Sequence, residues 1–209
     1  MKTAPRQSKH PLHRLFRGAS LALALSLACS LPSTAQDLIT SAKFTEPTTR
    51  YAHGVLGDDV EYGAIELHIK ASDGSSQAIT LRLPETRVFE DLDPRLIDLD
   101  TDGAPEVVVV ESDAALGARL SVYGPKGLIA ATPYIGQRNR WLAPIGAADF
   151  DSDGFVEIGY IDRPHLAKTL RLWRFKDGKL TEVATKTGLT NHKIGWDYIA
   201  GGLRNCADT

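Results

Sequence analysis

Two short stretches of this 209-residue chain gather carboxylates at a spacing suited to a cation. Asp98, Asp100, Asp102 and Glu106 crowd nine positions in "DLDTDGAPE", and Asp149, Asp151, Asp153 and Glu157 do the same in "DFDSDGFVE". Like charges this close repel, so each stretch needs a positive partner. Alternating aspartates followed by glycine present side-chain oxygens at positions 1, 3 and 5 and a backbone carbonyl at 7. Ca²⁺, which accepts roughly 6–8 oxygens in flexible geometry, suits that pattern better than Mg²⁺, which demands a strict octahedron and keeps its waters. The expected ligands of two Ca²⁺ sites are therefore Asp98, Asp100, Asp102, the Ala104 carbonyl and Glu106, then Asp149, Asp151, Asp153, the Phe155 carbonyl and Glu157. Gly103 and Gly154 permit the tight turn that aims the oxygens inward.

The flanks exclude an EF-hand. That loop ends on a bidentate Glu at position 12 and sits between helices. Here position 12 is Val109 or Tyr160, the acid arrives at position 9, and "EVVVV" and "EIGYI" are strand sequences.

The elements that position these loops repeat with them. "LIDLDTDGAPEVVVVE" (96–111) matches "AADFDSDGFVEIGYID" (147–162) residue for residue at an interval of 51. Downstream, "RLSVYG" (119–124) answers "TLRLWR" (169–174), and "GLIAAT" (127–132) answers "KLTEVA" (179–184), with "GPKG" and "KDG" as turns. Each copy reads as a strand, an acidic loop and three further strands, which is the plan of a propeller blade. The fold class expected is all-β, a propeller-like array of about three to four four-stranded antiparallel blades, complete or incomplete. The blade-like units are approximately 51–88, 89–139 and 140–190, with a partial unit at 191–209. The first contains a hairpin about Asp73-Gly74. In the last, Arg204 falls on Asp149, Cys206 on Asp151, Asp208 on Asp153 and Thr209 on Gly154, so that the chain stops inside a degenerate loop. Two readings follow: a fragment of a longer protein, or a strand at 37–50 that completes the last blade and closes a small ring.

Asp-x-Asp-x-Asp-Gly-x-x-Glu between two strands, once per blade, resembles the FG-GAP/VCBS repeat, the calcium-loop blade of integrin α-subunit propellers and of small secreted bacterial proteins. The likeness is strong over about residues 88–185. It implies a loop that joins the first two strands of a blade and binds Ca²⁺ through the acids named above. It also implies a binding or scaffold module rather than an enzyme, with a protein or glycan ligand. An accessory propeller of a secreted hydrolase or lyase, its catalytic part absent here, is the alternative.

Composition narrows the setting. Residues 1–35 hold five Lys/Arg and no acid, then a 13-residue apolar run and a small-x-small site before Gln36, the plan of a secretory signal peptide. The apolar run is too short for a stable membrane span. Cleavage after Ala35 leaves residues 36–209 with a formal net charge of −7 in place of −2. That acidity argues against nucleic acid as a partner and suits cations. The expected location is periplasmic or secreted, yet Cys206 alone survives processing, so no intramolecular disulfide supports the fold. An incomplete ring would leave open strand edges and invite self-association.

The remaining residues carry no catalytic pattern. His53, His165 and His192 are scattered, without zinc-ligand spacing, and the mature chain holds no Gly-x-Ser-x-Gly. Trp141, Trp173 and Trp196 are candidates for a sugar-binding surface, although Trp173, the counterpart of Tyr123, reads as inter-blade packing. Arg138, Arg140, Lys193 and Arg204 read as solvated cations.

Overall fold

The computed structural model describes residues 36–204, so the expected signal peptide and the positions Cys206, Asp208 and Thr209 lie outside the described residues. Within that range there are twelve antiparallel strands in two sheets, and no helix.

Strands β1 (Leu38–Thr48), β2 (Glu61–Lys70) and β3 (Ser76–Arg82) form a meander with β2 at its centre. The β2–β3 turn falls on Asp73-Gly74 as expected: the Asp73 carboxylate accepts the Ser75 amide at 2.8 Å, and Gly74 donates to the Ala71 carbonyl at 2.9 Å. The second unit begins with a divided strand, β4 (Arg87–Phe89) and β5 (Arg95–Ile97), both paired with β6 (Glu106–Asp113). Pro94, which has no amide hydrogen to give a ladder, lies in the gap. Asp91 replaces the missing backbone partner: it accepts the Val110 amide at 2.9 Å and is itself clamped by Arg95 at 2.6 and 2.9 Å. Strands β7 (Gly117–Gly124) and β8 (Gly127–Ala131) complete this unit. The third unit is a separate four-stranded sheet of β9 (Leu142–Ala148), β10 (Glu157–Asp162), β11 (Thr169–Lys176) and β12 (Lys179–Thr187). Its first strand is unbroken but bulged opposite Gly159-Tyr160.

Stacking follows from β6. Its run of four valines is wholly buried, with Val108 and Val110 packed on the third unit's Leu142, Ile158 and Tyr160, and Val107 and Val109 on Ile39, Ile65 and Leu67 of the first. Successive side chains of a strand point to opposite faces, so a continuous apolar run marks a strand covered on both.

Two expectations at the ends need correction. The 37–50 segment does not complete the last unit. It is β1 and pairs with β2 from Leu38–Lys70 to Thr48–Glu61, because its apolar Ile39 and Phe44 match the face that Ile65 and Ile69 present. A single bridge between Tyr62 and Phe89 then joins the first two units into one eight-stranded sheet. Residues 188–204 form no strand. They run over the third unit instead, with Asn191 donating to the Ala143 carbonyl at 3.3 Å and Leu203 packed on Gly146.

Candidate metal centre

Both acidic loops connect the first and second strands of their unit, β5 to β6 and β9 to β10. They fold alike, through the same set of side-chain caps. Asp98 accepts the amides of Asp102 (3.1 Å) and Gly103 (3.0 Å), and Asp149 those of Asp153 (3.2 Å) and Gly154 (2.9 Å). Asp102 accepts from Ala104, and Asp153 from Phe155. Glu106 reaches back to the Leu99 amide at 2.9 Å, and Glu157 to that of Phe150 at 3.0 Å. The glycines carry the turn at φ 92° and 88°. Thr101 and Ser152 also adopt left-handed backbone, at φ 61° and 62°. These loops are over-determined by their side-chain caps, which is what allows a β-branched residue there.

The acids do not all converge. Carboxylate oxygens of Asp98, Asp100 and Glu106 lie within 4.8 Å of one another, as do those of Asp149, Asp151 and Glu157. Asp102 and Asp153 stand outside these trios, occupied as turn caps; Asp102 also accepts from Gln36 at 2.8 Å. Ala104 is buried beneath its loop, and Phe155 is half-buried with the Lys176 ammonium 4.1 Å above its ring. Glu106 and Glu157 are the buried members, 7% and 1% exposed. Burial, reinforced by Asp102 and Asp98, pushes the Asp100 carboxyl above its ordinary value; burial, then Asp100, does the same to Glu106.

The two loops differ in what faces them. Arg174 on β11 donates to Asp151 at 2.5 Å and Glu157 at 2.8 Å, and pairs with Asp153 at 2.9 Å. At the first loop no Lys or Arg pairs with any of the four acids among the described residues. In the ladders Tyr123 opposes Val107 as Trp173 opposes Ile158, so the first unit's counterpart of Arg174 is Gly124, which has no side chain to offer the loop.

Other positions emerged only with the fold. The acid that closes each repeat proves to be an anchor. Glu111, fully buried, accepts from Arg119, Ser121, Tyr123 and Tyr134 at 2.9–3.0 Å and from Arg87 at 3.3 Å. Asp162 accepts from Arg163 at 2.8 Å and Arg171 at 3.0 Å. Burial, then Glu111 beside them, drives the Tyr123 and Tyr134 hydroxyls well up. The histidines are not scattered in space. His165 and His192 bond at 2.9 Å, and His53 and His165 line the same cavity, because loops far apart in the chain meet at one end of the stacked units.

The donor set fits a hard divalent ion. It is all-oxygen, anionic, partly buried and held by backbone caps, with no sulfur or imidazole to favour a softer metal. At the second loop the same oxygens already have a guanidinium.

Residues 98–160, which span both loops, match the model of the FG-GAP-like repeat. No curated protein and no solved structure matches the chain.

Proposed function

This chain carries FG-GAP-like repeats on stacked antiparallel blades, and from that premise we propose an exported, calcium-stabilised binding or scaffold module without catalytic function. The observation that carries the reading is the convergence of three carboxylates within 4.8 Å at the same place in both units. Two carboxylates about 4 Å apart repel by roughly 4 kcal/mol at an effective dielectric constant near 20, against a domain stability of about 5–15 kcal/mol. A divalent ion turns that repulsion into a clasp across the strand connection. Asp98, Asp100 and Glu106 would hold it in the first loop, with the Ala104 carbonyl and Asp102 as the further oxygens within reach of the turn. Asp149, Asp151 and Glu157 would do so in the second, with Asp153 and the Phe155 carbonyl. The chain's own contribution is to pin the acids: backbone amides fix Asp98, Asp149, Glu106 and Glu157 before any ion arrives.

Export rests on the basic and apolar 1–35 segment, and no helix among the described residues is long and apolar enough to cross a membrane. The test is thermal unfolding of the exported protein in chelator, then in millimolar Ca²⁺ or Mg²⁺. A rise in melting temperature with Ca²⁺ and little with Mg²⁺ is expected. Identical melting in all three conditions would overturn the metal reading.

A further inference from the structure

Away from the acidic loops, three connections meet at one end of the units: the β1–β2 loop, the segment before β9 and the β10–β11 loop. They frame a half-open recess whose innermost space is about 40 Å³, lined by His53, Asn139, Arg140, Trp141, Arg163 and His165 among others. Its walls are fixed from behind. His53 Nδ1 lies 2.5 Å from the fully buried Glu90, whose other oxygen accepts from Ser112. The Trp141 indole donates to the Glu90 carbonyl at 2.9 Å. Glu90 stands between Ser112 and His53, so the histidine cannot draw the serine proton and no nucleophilic triad exists here. Asn139 and Arg163 hold left-handed backbone, φ 53° and 46°, pinned by the Tyr51 hydroxyl at 3.2 Å and the Trp141 carbonyl at 3.0 Å. Strain of this kind persists where the surroundings over-determine it and collects at ligand sites.

Charge and size define what fits. Arg163 is neutralised by Asp162, whereas Arg140 donates to the Asn139 carbonyl and makes no ion pair among the described residues. An uncompensated guanidinium disfavours a metal ion between the imidazoles and favours an oxyanion. The innermost space holds about three waters at about 10–15 Å³ each and opens outward, so a planar carboxylate fits at its floor with its bearer outside. From His165 a chain of ring contacts leads on through His192 to Trp196 and Tyr198. His192 must donate from Nε2 to the Trp196 carbonyl at 3.0 Å, so its Nδ1 accepts from His165 Nε2. That leaves His165 Nδ1 an acceptor, suited to a hydroxyl. One imidazole further, Trp196 and Tyr198 stack at 4.6 Å and 13°, with Tyr198 48% exposed.

We propose that this cavity binds the carboxylate of a uronic-acid sugar, Arg140 taking the carboxylate, His165 a ring hydroxyl and Tyr198 the sugar face. The proposal rests on the reading of the chain as a binding module and supplies its ligand class. It is tested by calorimetric titration of the calcium-loaded exported protein with trigalacturonate, at fixed free Ca²⁺, beside its methyl ester and triglutamate. Trigalacturonate should bind and the uncharged ester should not. R140Q should weaken binding at least about tenfold, the scale of one lost charged hydrogen bond; R140K should retain part of it, and Y198A should weaken it while melting like the parent. Binding unchanged in R140Q, equal binding of the ester, or triglutamate binding as tightly would overturn the site. So would silence toward trigalacturonate in a protein whose calcium-dependent melting is intact, an outcome that leaves the metal reading standing.

Discussion

Arg174 makes the two acidic loops unequal. Its guanidinium already supplies the positive charge that the second loop needs, while the first loop has only neutral donors, backbone amides and the Gln36 side chain, against four acids. D100A should therefore remove a larger share of any calcium-dependent rise in melting temperature than D151A. R174A, which leaves the second loop without a facing cation as Gly124 leaves the first, should enlarge that rise and abolish the difference. Glu61 offers a separate test by pH. Burial first, then Glu90, Asp58 and Asp91, push its carboxyl from 4.5 up to about 9. The folded chain thus holds a proton that the unfolded chain has released, and stability falls as pH rises from about 4.5 toward 9. E61Q removes that liability. Its melting temperature should exceed the parent's at pH 8 and converge with it near pH 4.5. A gain of about 3–8 °C is expected, at about 2–4 °C per kcal/mol for a chain of this size.

Among the elements, the β6–β7 turn shows how closely the units are fitted. Gly117 has φ 73°, and a Cβ there would stand 2.2 Å from the Gln137 carbonyl and 2.8 Å from that of Arg140. The same turn holds the segment that carries Arg140, through Ala118 donating to the Arg140 carbonyl at 2.8 Å. G117A should cost about 2–4 kcal/mol, measured by denaturant unfolding, and should weaken trigalacturonate binding with it. The broken first strand of the second unit is the complementary case. Pro94 has no amide to give the ladder, and Asp91, held by Arg95, supplies the acceptor that the Val110 amide would otherwise lack.

At the scale of the whole molecule, β6 belongs to both cores. Val108 serves one and Val109 the other. V108A and V109A should each cost about 1.5–3 kcal/mol and should each lower one shared melting transition, because neither core persists once β6 leaves. Two separate transitions in calorimetry, each answering to one variant, would contradict that coupling.

Much of this was legible in the chain. The 51-residue repeat located the acidic loops and the order of four antiparallel strands around each, and turn residues located the hairpin at Asp73-Gly74, since local charge, alternation and turn chemistry act over neighbouring residues. The four valines of β6 read as a strand, and its cover on both faces came only with the stacking. What covers them could not be read, nor could the place of β1, because pairing partners are chosen by complementary faces across dozens of residues. The same holds for the chemistry. Sequence determined which oxygens stand at which loop positions and that both loops are acidic. Only the tertiary structure decided that Arg174 faces one of them and not the other, and that His53, Asn139, Arg140 and His165 share a cavity. Ion pairs and cavity walls form between side chains brought within a few ångströms by stacking, a distance that separation along the chain does not encode.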